Sequence, residues 1–234
     1  MREWRKALYE ALKEFNAPRV MSNIELQEYA NSVGIEVTPK QIIRFIEQVG
    51  DLDVLTPVRK GLFLNNRVWP TPTYAEAACR IRSGAVVSLH TVLGDAGVLN
   101  NSTSNVYSLL PAPEHGPQPS LGSLESESGV TFHFNKIKAE ILEAGDVDDR
   151  LVPLLSYDRA TPEAAVVHWI YLANTRRSPL CEPDTQCDME QLDLERLERL
   201  ATAAGIHDKV FNWVERCRVR ETADDDQTYW QPGM

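Results

Sequence analysis

The sequence lacks most of the features that identify a membrane protein or an enzyme at first reading. No apolar run approaches the roughly 20 residues that cross a bilayer as a helix, so no transmembrane segment is expected. The opening residues, Met1-Arg-Glu-Trp-Arg-Lys-Ala, are charged and carry neither the apolar stretch nor the cleavage site of a secretory signal, which points to a cytoplasmic protein. Cysteine is scarce and scattered, at Cys79, Cys181, Cys187 and Cys217, so a disulfide-built scaffold is excluded and reduced thiols are expected. There is no Gly-x4-Gly-Lys phosphate loop and no Gly-x-Ser-x-Gly nucleophile elbow.

Metal and nucleotidyltransfer chemistry are also poorly provided for. Cys181 and Cys187 are spaced unlike the usual zinc knuckles, and His207 and Cys217 lie far off in sequence. His168 falls in an apolar helix and reads as a core histidine; His90 follows a strand, where a structural hydrogen bond is the simpler role. A nucleotidyltransferase needs Gly-Ser followed closely by paired aspartates for magnesium. Gly122-Ser123 instead lies in a serine-rich loop, and Asp146, Asp148 and Asp149 are too far downstream. No catalytic residue, metal or cofactor is assigned.

What the sequence does have is a clear run of helix starts. Ser22-Asn-Ile-Glu25 and Thr38-Pro-Lys-Gln41 both place Ser or Thr three residues before Glu or Gln, the pattern of a capping box. Pro39 suits the first helical position, and Gly34 can take the left-handed conformation that stops the preceding helix. The spacing predicts helices over about 2–15, 23–32 and 39–49. In the first, Trp4, Leu8, Ala11, Leu12 and Phe15 form the apolar face; in the second, Ile24, Leu26, Tyr29 and Ala30 are expected inside. A hairpin follows over Leu55–Leu64, with Gly61 at its turn. Helix, helix and hairpin in this order predict a winged helix-turn-helix over residues 1–68.

In the third helix the buried stripe Ile42, Phe45, Ile46 and Val49 turns Lys40, Gln41, Arg44 and Gln48 outward, where they form a base-reading face. Gln41 suits adenine and Arg44 suits guanine. Thr38, Arg59, Lys60 and Arg67 are assigned to the DNA backbone, Lys40 serving either role. The net charge of −10 is not spread evenly: residues 1–68 carry ten Lys and Arg against nine Asp and Glu, and the remainder is −11. That weak basic excess predicts modest affinity for one copy, so a homodimer or several cooperating copies would bind.

Residues 65–73 contain two prolines and read as a linker to a second, α/β domain over 73–221. It is expected to open with the capping box Thr73-Tyr-Ala-Glu76. Strands are expected at 85–89, 106–110, 130–134 and 151–155, and helices at 136–144, 162–172, 189–204 and 208–221. Residues 111–129, rich in Pro, Gly and Ser, read as a mobile loop, 176–187 as irregular chain, and the acidic tail 222–234 as disordered.

Two segments of this domain, Ala78-Cys-Arg-Ile-Arg-Ser-Gly-Ala-Val-Val-Ser-Leu-His-Thr-Val-Leu-Gly-Asp-Ala-Gly-Val98 and Ala160-Thr-Pro-Glu-Ala-Ala-Val-Val-His-Trp-Ile-Tyr-Leu172, together with the wing segment Val58-Arg-Lys-Gly-Leu-Phe-Leu64, resemble the AbiEi family. Its members are antitoxins and transcriptional regulators of type IV toxin–antitoxin systems in phage defence. The resemblance implies a winged helix followed by an α/β antitoxin domain. It also implies repression of the chain's own promoter at inverted repeats, and opposition to a nucleotidyltransferase toxin without need of a stable complex. The loop 111–129 and the acidic tail depart from that pattern. A winged-helix regulator with no toxin partner, and an enzyme or metal protein built on the second domain, are the alternatives.

Overall fold

The computed structural model describes residues 3–101, 103–112, 121–144, 157–176 and 178–228, in a mixed α/β fold with two sheets. They group into two compact units: residues 1–83 with 124–131, and 84–123 with 132–234.

In the first unit, α1 (Glu3–Ala11) is followed by β1 (Val20–Ser22), α2 (Asn23–Ser32), α3 (Pro39–Val49), β2 (Leu55–Arg59), β3 (Leu62–Asn65) and α4 (Tyr74–Ile81). The three strands pair antiparallel in the order β1-β3-β2. Leu8, Leu12, Met21, Leu26, Ile42 and Phe45 fill the core and are at most 1% exposed. Two apolar assignments are corrected. Phe15 is fully exposed, because α1 ends at Ala11 and the stripe ends with it. Ile24 is 68% exposed, since it lies some 200° round α2 from Leu26 and so faces away from the stripe of Leu26, Tyr29 and Ala30.

The stretch expected as a linker begins within β3. Asn65 is fully buried, donating through Nδ2 to the carbonyls of Leu12 (3.0 Å) and Pro18 (3.1 Å), while its Oδ1 accepts from the Arg67 amide (3.1 Å). The helix expected to open the second domain is α4, and it belongs with the first unit. Its Glu76 carboxylate is 1% exposed and takes a two-pronged bond from Arg19, Nε and Nη2 each at 2.8 Å, so β1 and α4 are tied by a buried ion pair. Glu76 also accepts from the Thr73 amide (3.1 Å), as its place in the capping box predicts.

The second unit contains β4 (Val86–Val87), α5 (Leu89–Asp95), β5 (Val106–Ala112), β6 (Gly122–Glu125), β7 (Thr131–Lys138), α6 (Ala139–Ala144), α7 (Pro162–Ala173), α8 (Leu194–Ala203) and α9 (His207–Thr228), the turn between β6 and β7 grouping with the first unit. Its sheet runs β4-β5-β7-β6, with β5 and β7 parallel from Val106↔Phe132 to Ala112↔Lys138. That pairing carries β7 through Lys136, where a helix was expected, because β5 offers backbone partners along its whole length. The expected loop 111–129 contains β6; its residues 113–120 lie outside the described residues, as does the strand expected at 151–155. Helix α9 continues to Thr228 rather than ending at 221: no Pro or Gly interrupts the chain before Pro232. Residues 229–234 lie outside the described residues.

Helix α7 is buried nearly all round, as its composition predicts. His168 within it is 1% exposed, with Nδ1 3.0 Å from the Ser88 hydroxyl. Burial pushes its pKa down to about 4, outweighing a backbone contact from Ile141 that acts the other way. The structure also joins cysteines that spacing separates: Cys187 lies 3.3 Å, sulfur to sulfur, from buried Cys217, while Cys181 is exposed.

Two outcomes follow. Arg19→Met, which leaves the Glu76 carboxylate buried without its cation, is expected to cost about 3 kcal/mol of first-unit stability, whereas Lys13→Ala, which removes an exposed pair with Glu10, leaves stability unchanged; urea titrations of both variants check this. For His168 the folded pKa lies below the ordinary 6.5, so the unfolded chain takes up its proton first as pH falls. Stability is therefore full above about pH 6.5 and falls by up to about 3 kcal/mol as pH drops to about 4. Melting curves across that window should flatten in His168→Gln.

Candidate nucleic-acid interface

The pair α2–α3 is built from local signals. Ser22 caps α2: its Oγ accepts from the Glu25 amide (3.3 Å) and the Glu25 carboxylate accepts from the Ser22 amide (2.7 Å), completing a capping box. Partial burial alone would raise the pKa of Glu25, but the Ser22 amide and the Arg80 guanidinium outweigh it and hold the carboxyl below its usual range. At the other end Gly34, at φ +81°, closes a Schellman motif in which the Ile35 amide reaches the Ala30 carbonyl (2.9 Å) and the Gly34 amide that of Asn31 (3.1 Å). The turn into α3 is pinned twice more, by Gln27 Nε2 donating to the Val37 carbonyl (3.0 Å) and by Asn31 Oδ1 accepting from the Val37 amide (3.2 Å). These bonds set the angle at which α3 leaves α2.

Helix α3 buries Ile42, Phe45 and Val49 and turns the opposite side to solvent. Lys40, Arg44 and Gln48 are exposed on that side as expected. Gln41 is not available in the same way. It is half-buried, and its Oε1 accepts from both the amide (2.8 Å) and the hydroxyl (2.9 Å) of Thr38, so the capping role that its spacing predicts occupies the oxygen a bidentate adenine contact would use. Thr38 is exposed but has its own donors committed to Gln41.

Two further outward residues were not assigned from sequence. Ile43 is 49% exposed, and Glu47 is exposed beside Arg44. The signal was present in the spacing: 40, 43, 44 and 47 stand at i, i+3, i+4 and i+7, the face directly opposite the buried stripe.

The β2–β3 turn presents exposed Arg59 and Lys60 before Gly61, at φ +77°. Arg67 lies elsewhere, with its guanidinium carbon 4.5 Å from the centre of the Tyr9 ring on α1, where a cation–π contact holds it. Residues 124–131 lie along β2, the Glu127 amide donating to the Val58 carbonyl (3.1 Å) and the Ser128 hydroxyl to that of Pro57 (3.0 Å). They bring Glu125 and Glu127 with them. The first unit therefore carries twelve Lys and Arg against twelve Asp and Glu, is neutral as a whole, and leaves the entire −10 on the second. Any attraction for a polyanion rests on local placement of Lys40, Arg44, Arg59 and Lys60 rather than on net charge.

No protein-family profile matches the chain, and no curated protein matches it by sequence. By fold, it is similar to the crystal structure of the RV2827C protein from Mycobacterium tuberculosis. The identity is 14% and the TM-score 0.52, over 92% of this chain and 82% of that one. At that identity the likeness concerns architecture alone.

Proposed function

We propose that the first unit is a winged helix-turn-helix that reads double-stranded DNA, and that the chain is an AbiEi-like antitoxin and autorepressor. The observation that carries the DNA reading is topological. The order α1-β1-α2-α3-β2-β3, with a β1-β3-β2 sheet, supports a winged-helix reading, in which α3 has an outward polar face and Arg59 and Lys60 stand exposed at the hairpin turn. On this reading α3 enters the major groove, with Arg44 on a guanine, Gln48 on an adenine and Glu47 on the amino group of a cytosine. Ile43 supplies an apolar contact for a thymine methyl. Arg59 and Lys60 hold phosphates and set register. The antitoxin role rests on the resemblance of residues 78–98 and 160–172. On this reading the protein is a cytoplasmic, non-enzymatic repressor, bound as a homodimer or several copies to inverted repeats in its own promoter and opposing a nucleotidyltransferase toxin.

The test is a gel-shift titration of the full chain on DNA from upstream of its own gene, at two salt concentrations with scrambled competitor. Competitor-resistant, salt-sensitive binding is expected; no specific complex at micromolar protein would remove the repressor reading. Arg44→Ala should cost about 1–3 kcal/mol and relax preference at one base pair, while Arg59→Ala and Lys60→Ala should weaken all sequences alike and flatten the salt dependence. Replacing operator thymines by deoxyuridine, which deletes only the methyl group, should weaken wild-type binding at one position by about 1 kcal/mol and leave Ile43→Ala indifferent. For the antitoxin half, co-expression should rescue cells from the nucleotidyltransferase encoded beside the gene; growth arrest despite full-length protein would leave a regulator without that partner.

A further inference from the structure

The second unit contains a cleft that the DNA reading does not use. It encloses about 430 Å³, in the range of small-molecule sites, between the β5–β7 pair and the chain leaving α7. The parallel register sets Tyr107 beside His133, and their rings stack at 4.6 Å and 14°. Leu172, Pro179 and Leu180 add apolar surface, and Lys136 and Arg176 add positive charge. None of the described residues lining the cleft is Asp or Glu, although this unit carries the whole negative excess of the chain. Two cations, with no Asp or Glu among the described lining residues, make the cleft a candidate anion site.

The donors suit a phosphate better than a carboxylate. Arg176 makes no ion pair among the described residues, so its fork is available for two parallel bonds. The Ser178 hydroxyl accepts from the Leu180 amide (3.1 Å) and so keeps its proton to give. Ser123 Oγ and His133 Nδ1 are 2.8 Å apart. Whichever of the two donates in that bond, the other still has an O–H or N–H to offer a ligand. At the α7 C-terminus, whose carbonyls oppose an anion, two are engaged by side chains: Asn174 Nδ2 donates to that of Ile170 (2.9 Å) and Thr175 Oγ1 to that of Leu172 (2.7 Å). Among the described lining residues no carboxylate orients His133 as a base, so the arrangement favours binding over Ser–His catalysis.

We propose that this cleft binds a small phosphomonoester, its phosphate held by Arg176, Lys136 and Ser178 and its apolar body laid against Tyr107, Leu172 and Leu180. The site lies wholly within the second unit and does not depend on DNA binding.

The experiment is calorimetric titration of the full chain with phenyl phosphate, inorganic phosphate and benzoate. Phenyl phosphate is expected to bind saturably at one site, with inorganic phosphate and benzoate each at least about tenfold weaker because each lacks half of the recognised chemistry. Arg176→Ala should weaken phenyl phosphate by about tenfold or more, and Arg199→Ala, on the exposed side of α8, should not; melting curves confirm that both variants are folded. No saturable binding at concentrations on the order of 10 mM, benzoate binding as tightly as phenyl phosphate, or an Arg176→Ala variant with wild-type affinity would each overturn the assignment.

Discussion

A carboxylate buried in an apolar interior must be given a cation and donors or the fold around it fails, and in the first unit that carboxylate belongs to Glu76. It is met by the planar fork of Arg19 and by the Thr73 amide, three donors from two parts of the chain. Isolated, the same charge would cost several kcal/mol; paired in this geometry it fixes where α4 sits on β1. The sheet, the α2–α3 pair and the hairpin are then built on a frame whose closure comes from residues 57 positions apart. The buried Asn65 works in the same way without charge, tying the end of β3 to the chain after α1 through two carbonyls that would otherwise be unpaired.

The second unit buries both charged and neutral polar groups: Arg159 is paired with Asp95 (2.8 Å) and the Glu163 carboxylate accepts from the Asp193 amide (3.0 Å). His168, in the middle of the most buried helix, is kept uncharged by its surroundings and partnered by Ser88. Trp213 is fully covered and donates to the Pro183 carbonyl at 3.1 Å. The second unit carries the whole negative excess of the chain, whereas the described residues lining the cleft include Lys136 and Arg176 and no Asp or Glu.

The neutral balance of the first unit bears on how it would meet DNA. With as many carboxylates as cations in the unit, the proposed reading implies weak nonspecific attraction and discrimination by base contacts in register. On that reading Glu47, beside Arg44, would repel phosphate but accept from cytosine, and Ile43 would contribute shape rather than charge. A reader of this kind gains affinity by repetition, in keeping with inverted repeats bound by more than one copy.

Local chemistry was legible in the residues themselves. The limits of α2 and α3, the left-handed glycines at 34 and 61, the three capping boxes and the all-round burial of α7 depend on interactions within one turn or one helix, and their spacing states them directly. Outward Lys40, Arg44 and Gln48 follow from the same periodicity, and so would Ile43 and Glu47 had the face been centred opposite the buried stripe. What the sequence could not show is which distant partners meet. Gln41 was legible both as a cap and as a reader, and only the folded turn committed its oxygen to Thr38. The Arg67–Tyr9 stack, the Cys187–Cys217 contact, the Arg19–Glu76 fork that moves α4 into the first unit and the Tyr107–His133 wall of the cleft were decided by tertiary structure. Each joins residues far apart along the chain, where no periodicity or spacing carries the information and only the packing of whole elements selects the pair.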